Sequence, residues 1–251
     1  PPNEMPRALE ISLASGKHVF SEKPISPDVR SGRTLLAVHA RHPGSVWMVG
    51  ENWRYEATFI RAAKIVAAGE IGRPLYCHWA DHFHVTPTNK YYSTTWRQSG
   101  TVPGGYLLDS GIHRVAALRM IVGEVAEVCA LGAQLRPDLP PLDTQCAALR
   151  FQNGVIGSYS LTVATSLPVP TLLTVVGTAG HLQVDRRGVQ IVAGERRESW
   201  PVVDYSDLPA IRSEFAAFAA AIRWQEPFRN TPVETLQDVA VVEALLEATQ
   251  T

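Results

Sequence analysis

The pattern of apolar and turn residues changes near residue 50, and this change constrains the fold more than any other feature of the sequence. Before it, helical and strand patterns alternate: a helix ending at Gly16, a strand at His18–Ser21, a helix from Ser26-Pro27 to about His42, and a strand at Val46–Gly50. Such alternation predicts parallel strands joined by crossover helices. Two strands alone do not make a stable doubly wound sheet, so we interpret residues 1–52 as the last part of one.

After this point strands dominate, which predicts an α+β domain over residues 53–251. A helix at Tyr55–Val66 opens the region, and another near Gly105–Val122 interrupts the strands. Asn153-Gly154 is typical of a hairpin turn between two strands. We therefore expect a large, mostly antiparallel open sheet flanked by helices. Its predicted strands are Leu75–Val85, Val125–Ala133, Thr144–Arg150, Gly154–Val163, Thr171–Val176, His181–Val184 and Val189–Val192.

Two further helices complete the chain. The first opens near Asp207 and Pro209, and the second begins at Thr231. There the segment Thr231-Pro232-Val233-Glu234 combines a capping box with a proline in the first turn, a pattern typical of a helix start. We expect this last helix, over residues 231–249, to pack back onto the first domain.

Composition excludes several classes of protein. The 251 residues carry 23 Lys and Arg against 24 Asp and Glu, a formal net charge of -1, so the chain offers no basic surface for a nucleic acid. No apolar run is long enough to span a membrane. The three cysteines are odd in number and far apart, which argues against a disulfide framework and indicates a reducing, cytoplasmic compartment. The chain starts with Pro1, a start that natural domains and pieces of longer chains share.

Lys23 is the first candidate for chemistry, because it directly follows a predicted parallel strand. Open α/β sheets bind ligands at the carboxyl ends of their strands. An ammonium group at that edge can stabilise an oxygen that gains negative charge. A lysine solvated in a loop would show the same Glu-Lys-Pro sequence, so this segment alone leaves both interpretations open.

A second candidate is the segment Gly104–His113. Asp109 and His113 are four residues apart and project from one face of the predicted helix. A carboxylate beside an imidazole makes an acid/base pair and raises the pKa of the histidine. The glycines let the backbone approach a ligand closely. The alternative is a helix N-terminus with Asp109 near the dipole and a hydrogen-bonded His113 in the core.

Two other groups of polar residues are less specific. The junction Gly50–Tyr55 suits a cleft between domains, or capping and packing. His78, His82 and His84 share one predicted strand face, but no cysteine or carboxylate joins them at the spacing of zinc ligands, and we predict no metal site. The sequence contains no G-x-G-x-x-G, P-loop or G-x-S-x-G motif.

Taken in order, these segments resemble the Gfo/Idh/MocA family of nicotinamide-dependent oxidoreductases. The similarity extends over essentially the whole chain. Its motifs are the G-K-H-V-x-x-E-K-P segment at Gly16–Pro24, the turn at Gly69–Pro74, Trp96-Arg97, the G-G-x-L-L-D-x-G-x-H segment at Gly104–His113, the turn at Val176–Gly180, and the E-x-x-x-D helix at Glu234–Leu246.

The resemblance implies a fold and an activity. The implied fold is the C-terminal part of a Rossmann-like parallel sheet, followed by a domain with a large, mostly antiparallel open sheet through which two or four subunits associate. The implied activity is hydride transfer, with NAD or NADP, to or from a carbon–oxygen bond of a sugar, inositol or related polyol. No nucleic acid or membrane partner is implied.

The resemblance also implies roles for individual residues. Lys23 contacts the reacting oxygen, Asp109 orients the substrate or tunes its neighbour, and His113 is the general acid/base. The Lys23–Pro24 bond is often cis in such proteins. The implied cofactor-binding residues are Glu22, Lys23, Pro24, Asn52, Trp96 and Arg97.

The chain departs from the family pattern in two places. It resembles a member entered about 80–100 residues late, without the glycine turn that holds the pyrophosphate. In addition, Arg114 follows His113, where it either alters the preference for substrate charge or faces solvent. The alternative function is therefore a catalytically inactive short form that acts as an oligomerising or sugar-binding module.

Overall fold

A computed structural model describes residues 4–100, 102–167, 171–204 and 206–249. The chain begins with a small two-stranded sheet in which β1 (Val19–Glu22) and β2 (Trp47–Gly50) run parallel. Helix α1 (Met5–Ala14) precedes β1, and α2 (Val29–Ala40) connects the two strands. The last residues of the two strands lie opposite each other. The residues that follow each strand therefore leave the sheet at the same edge.

A second sheet of eight strands has the order β10-β9-β8-β7-β3-β6-β5-β4. Strands β3 and β6 are parallel, and every other neighbouring pair is antiparallel. The prediction of a small parallel sheet followed by a large, mostly antiparallel one is confirmed. The strands are β3 (Pro74–His82), β4 (Val125–Ala133), β5 (Thr144–Phe151), β6 (Ile156–Thr162), β7 (Leu172–Gly177), β8 (Gly180–Asp185), β9 (Gly188–Ala193) and β10 (Arg196–Pro201).

Five further helices accompany this sheet in the described residues. They are α3 (Ala57–Ala67), α4 (Thr95–Gln98), α5 (Gly105–Ile121), α6 (Leu208–Trp224) and α7 (Pro232–Ala248), and a 3-10 turn at Asn52–Tyr55 precedes α3. The sequence pattern predicts neither α4 nor β10. Helix α4 has a single turn, and β10 is an exposed edge strand without alternating apolar residues, so neither carries a periodic signal.

The structure agrees with the predicted start of α7 but not with the predicted start of α2. The Thr231 hydroxyl accepts the backbone N–H of Glu234 at 3.2 Å, as the capping box predicts. The expected start of α2 at Ser26-Pro27 is wrong: Asp28 is the N-cap, and its carboxylate accepts a hydrogen bond from the backbone N–H of Ser31 at 2.6 Å. Ser26 instead donates its hydroxyl to the carbonyl of Asp28. The helix therefore begins later than expected.

Helix α5 lies at the centre of the molecule and is buried on nearly every side. It packs against α3, α7 and β6, and α7 also contacts α2, β2 and β4. The last helix therefore touches both parts of the chain. For example, a Cβ added at Gly32 in α2 would lie 2.2 Å from the side chain of Leu236 in α7. The division into domains at residues 52 and 53 stays a prediction.

The face of the large sheet that points away from α5 is open. Its exposed apolar side chains include Tyr76, Leu131 and Ile156, from β3, β4 and β6. Among the described residues, no helix combines the length and the apolar character that crossing a membrane requires.

Candidate active site

The shared carboxyl edge of β1 and β2 brings two ionisable side chains together. Lys23 follows β1 and Glu51 follows β2, because the two strands are parallel and end in register. The ammonium nitrogen of Lys23 donates to the carboxylate Oδ1 of Asp109 at 2.8 Å and to the carbonyl of Asp109 at 2.7 Å. The Lys23–Pro24 peptide bond is cis. An ammonium group has three hydrogen-bond donors, and the two hydrogen bonds to Asp109 leave the third available for a further oxygen.

Asp109, on the second turn of α5, joins two cations. Besides Lys23, it accepts the Nε and Nη2 donors of Arg97 at 2.9 and 2.8 Å on its other oxygen. Burial alone would raise the pKa of Asp109, but Lys23 and Arg97 outweigh it and hold that pKa below its usual value. Asp109 is therefore a carboxylate at neutral pH, with both oxygens engaged.

His113, one turn further along α5, contacts Glu51 rather than Asp109. Its Nδ1 lies 2.6 Å from Oε1 of Glu51, and its ring stacks on Trp53 with 5.4 Å between the centroids. Burial would raise the pKa of Glu51, yet the nearby His113, Lys23 and Arg54 hold it below the usual value. An ionised Glu51 accepts a hydrogen bond from a protonated Nδ1, so the lone pair of the neutral imidazole is at Nε2.

The expected effect of Asp109 on His113 is wrong. The structure pairs Asp109 with Lys23 and Arg97, and the pKa of His113 is lowered, not raised. Burial of the ring causes the decrease, and Glu51 opposes it. The spacing of four residues places both side chains on one side of α5, but their partners come from other elements. At neutral pH His113 is therefore a neutral imidazole that can accept a proton.

The glycines before Asp109 serve packing within the protein. Gly104 and Gly105 both have positive φ, at 70° and 46°. A Cβ at Gly104 would lie 2.5 Å from Leu246, and one at Gly105 would lie 2.7 Å from the carbonyl oxygen of Pro140. Side chain and backbone of this protein thus fill the space that we expected for a ligand.

The other predicted cofactor residues differ in their burial and in their contacts. Glu22 is exposed at the end of β1, and Pro24 is buried next to Lys23. Trp96 lies against the guanidinium of Arg97, which is 4.0 Å from its ring centroid. Asn52 turns away toward the start of α6, where its amide donates to Asp207 at 3.4 Å.

Arg114 does not face solvent. Its guanidinium is buried, donates to the carboxylate of Asp81 in β3, and lies 4.7 Å from the ring centroid of Trp53. Asp81 also accepts the hydroxyl of Thr171 at 2.9 Å. Since Asp81 neutralises its charge, Arg114 supports the tryptophan against which His113 stacks.

Glu51 and Trp53 are the site residues that sequence reasoning did not single out. Both belong to the junction segment that suited either a cleft or packing. The usable signal was the position of Glu51, directly after the second parallel strand, as Lys23 is directly after the first. What the sequence does not show is that α5 presents His113 to this edge.

Two of the three histidines in the β3 region contact different partners within the protein. His78 lies on the open face of the sheet and its Nδ1 is 2.7 Å from the hydroxyl of Ser158, whereas His84 lies beyond the end of β3 and contacts the carbonyl of Thr165. No group of three or more histidine, cysteine or acidic side chains suited to a metal ion occurs in the described part of the chain.

Comparison with known proteins places this arrangement in a family. The sequence profile of the GFO/IDH/MocA C-terminal domain matches residues 59–183. Dehydrogenase FPY6 of Fusarium mangiferae is 32% identical to this chain, over 96% of the chain and 71% of that protein. The chain belongs to the Gfo/Idh/MocA family. The family resemblance of its motifs is thereby confirmed.

Two further proteins are similar to this chain. The crystal structure of an oxidoreductase from Thermotoga maritima superposes with a TM-score of 0.90 at 30% identity, over 99% of this chain and 74% of that one. The myo-inositol 2-dehydrogenase of Thermotoga maritima is 27% identical over 70% of this chain and 52% of that protein. These three proteins are named as dehydrogenases or as an oxidoreductase.

Proposed function

We propose that this member of the Gfo/Idh/MocA family is an NAD(P)-dependent oxidoreductase that acts on a CH–OH group of a sugar, inositol or related polyol. The observation that carries the proposal is the pairing of Lys23 with Asp109 and of His113 with Glu51, side by side at the carboxyl edge of two parallel strands. The family supports the reaction class, and its myo-inositol dehydrogenase supports the substrate class.

The residues at this edge fit the nicotinamide end of the cofactor. Carboxyl ends of parallel strands are where open α/β sheets receive such ligands. Lys23 keeps one donor for an oxygen there, and its side chain is 17% exposed, so a ligand can reach it. We assign Glu22, Lys23 and Pro24 to this end, and Trp96 and Arg97 to its surroundings. When bound, the nicotinamide accepts or supplies the hydride.

The chain's own groups handle the proton and the charge. In the direction of oxidation, Nε2 of His113 takes the proton of the substrate hydroxyl. The imidazolium that forms is stabilised by Glu51, whose carboxylate faces Nδ1. Lys23 donates to the substrate oxygen and lowers the energy of the negative charge that develops on it. Asp109 holds the lysine in place, and in the reverse direction His113 returns the proton.

His113→Asn is the direct test of this assignment. Loss of the general base should reduce kcat for a polyol such as myo-inositol by about 10²–10⁴-fold. His42→Asn, in the turn that leads into β2 and at the opposite end of that strand from Glu51, is the matched control and should leave kcat unchanged. Unchanged turnover in His113→Asn would remove the assigned role. If titration with NADH and NADPH shows no binding, the inactive oligomerising or sugar-binding form becomes the better reading.

We further propose that two or four copies associate through the open face of the large sheet, in the cytoplasm. The exposed Tyr76, Leu131 and Ile156 give that face its apolar character, and the free cysteines fit a reducing compartment. Light scattering after gel filtration should show a dimer or tetramer, and Ile156→Glu should shift it toward the monomer. A monomeric wild-type chain would contradict the proposal.

A further inference from the structure

Glu214 in α6 is a buried carboxyl group that the proposed reaction does not use. The residue is only 3% exposed. Its Oε1 accepts the side-chain amide of Asn230 at 2.6 Å, and the same amide donates to the carbonyl of Val49 in β2. The carbonyl of Asn230 also accepts the backbone N–H of Val49 at 3.3 Å, so this carboxyl group is tied to β2 two residues before Glu51, whose backbone N–H faces it. Glu214 is thus held directly behind the residue that contacts His113.

The groups that face Glu214 come from several elements. Glu51 follows β2, Glu22 ends β1, Tyr55 lies in the 3-10 turn, and Asn230 precedes α7. The charged groups with the strongest effect are Glu51 and Glu22, both of which carry negative charge when ionised. Burial, together with these two carboxylates, raises the pKa of Glu214 to about 8, against the opposing hydrogen bonds from Glu51 and Asn230.

At neutral pH, therefore, a protonated carboxyl group lies next to an ionised one. Glu51 has a lowered pKa because His113, Lys23 and Arg54 outweigh its burial. Two neighbouring carboxyl groups whose environments separate their pKa values in this way take different roles. Glu51 carries the charge that faces His113, and Glu214 supplies a neutral acceptor for the backbone of Glu51.

We propose that Glu214 is a positioning residue, which holds the backbone of Glu51 so that its carboxylate meets Nδ1 of His113. Removing the acceptor releases the start of the 3-10 turn and changes the environment of the imidazole. Ionisation of Glu214 places a second negative charge behind Glu51, and this charge changes the electrostatic environment of the His113 ring. The proposal rests on the proposed acid/base role of His113. The contact between Glu214 and Glu51, however, can be tested without an activity measurement.

The test is an NMR titration of the full chain with 13C-labelled histidine, in which the His113 signal is assigned by its loss in His113→Asn. In the wild type, the His113 signal should show one inflection at its own lowered pKa and a second near pH 8. Glu214→Gln keeps a neutral acceptor, so it should keep the first inflection and lose the second. Glu214→Ala should shift the first inflection as well.

A matched control is Glu226→Gln, which removes an exposed carboxylate just after α6. It should retain both inflections. The proposal is overturned if the wild-type signal lacks an inflection near pH 8, if Glu214→Gln retains it, or if Glu214→Ala gives the wild-type titration. If the NMR result holds while His113→Asn keeps full turnover, the contact is real and the proposed function is wrong.

Discussion

Helix α5 carries a buried charge cluster near each end, and the two clusters differ in how far their charged side chains are accessible to a ligand. The cleft cluster, near its start, consists of Lys23, Glu51, Arg97, Asp109 and His113. The anchor cluster, near its end, consists of Arg54, Arg119, Glu124, Glu234 and Asp238. Both combine cations with carboxylates drawn from distant parts of the chain.

In the anchor cluster, the central groups are closed off. The side chains of Arg119 and Asp238 are 1% and 0% exposed, and Arg54 donates to both oxygens of Asp238 at 2.7 and 2.8 Å. In the cleft cluster, the side chains of Lys23, Asp109 and His113 are 13–17% exposed. A buried network whose charges are paired with one another holds helices together, whereas one that leaves a donor and a lone pair within reach can act on a ligand.

The largest expected effect is on the anchor cluster. Asp238→Asn leaves the guanidinium groups of Arg54 and Arg119 buried without their central carboxylate. We expect the free energy of unfolding to fall by about 3–5 kcal/mol, as measured by urea denaturation. Glu127→Gln breaks the exposed pair with Arg150 and serves as the control, with an expected change below about 1 kcal/mol. If both substitutions lowered the free energy of unfolding equally, the prediction that the buried pairs contribute more to stability than the exposed pair would be wrong.

The next effect concerns Asp109 in the cleft cluster. Asp109→Asn removes the charge that holds Lys23 and Arg97, so the ammonium group loses its position beside the reacting oxygen. We expect kcat/KM to fall by about 10²-fold, while the free energy of unfolding decreases less than in Asp238→Asn because the site is partly solvated. A variant that unfolds as readily as Asp238→Asn but retains its turnover would show that Asp109 is an anchor instead.

The smallest effect is expected from Glu51→Gln. The carboxylate of Glu51 raises the pKa of His113 against the stronger lowering by burial. Without that charge, the pKa of His113 should fall further, and the imidazole should stay neutral to a lower pH. The titration of the His113 signal measures this directly. A pKa that moves upward, or stays in place, would show that Glu51 does not act on the imidazole as a charge.

Much of this architecture is visible in local patterns. Seven of the eight strands of the large sheet, the cap at Thr231 and the Lys23 segment have signals within a few residues, because turn chemistry and hydrophobic periodicity are local properties. The site pairing has no such signal. His113 and Glu51 are 62 residues apart, and Asp109 and Lys23 are 86 apart. The short spacing between Asp109 and His113 suggested a pair that the structure does not form.

By itself, the sequence determined the order of elements, the family and the residue types available for acid/base chemistry. The tertiary structure alone decided which carboxylate meets which base. Helix α5 is buried on nearly every side, so each of its polar groups needs a partner from the element it happens to pack against. Those partners depend on how β1, β2 and α7 are placed around the helix, and long-range packing of that kind leaves no mark in the spacing of residues along the chain.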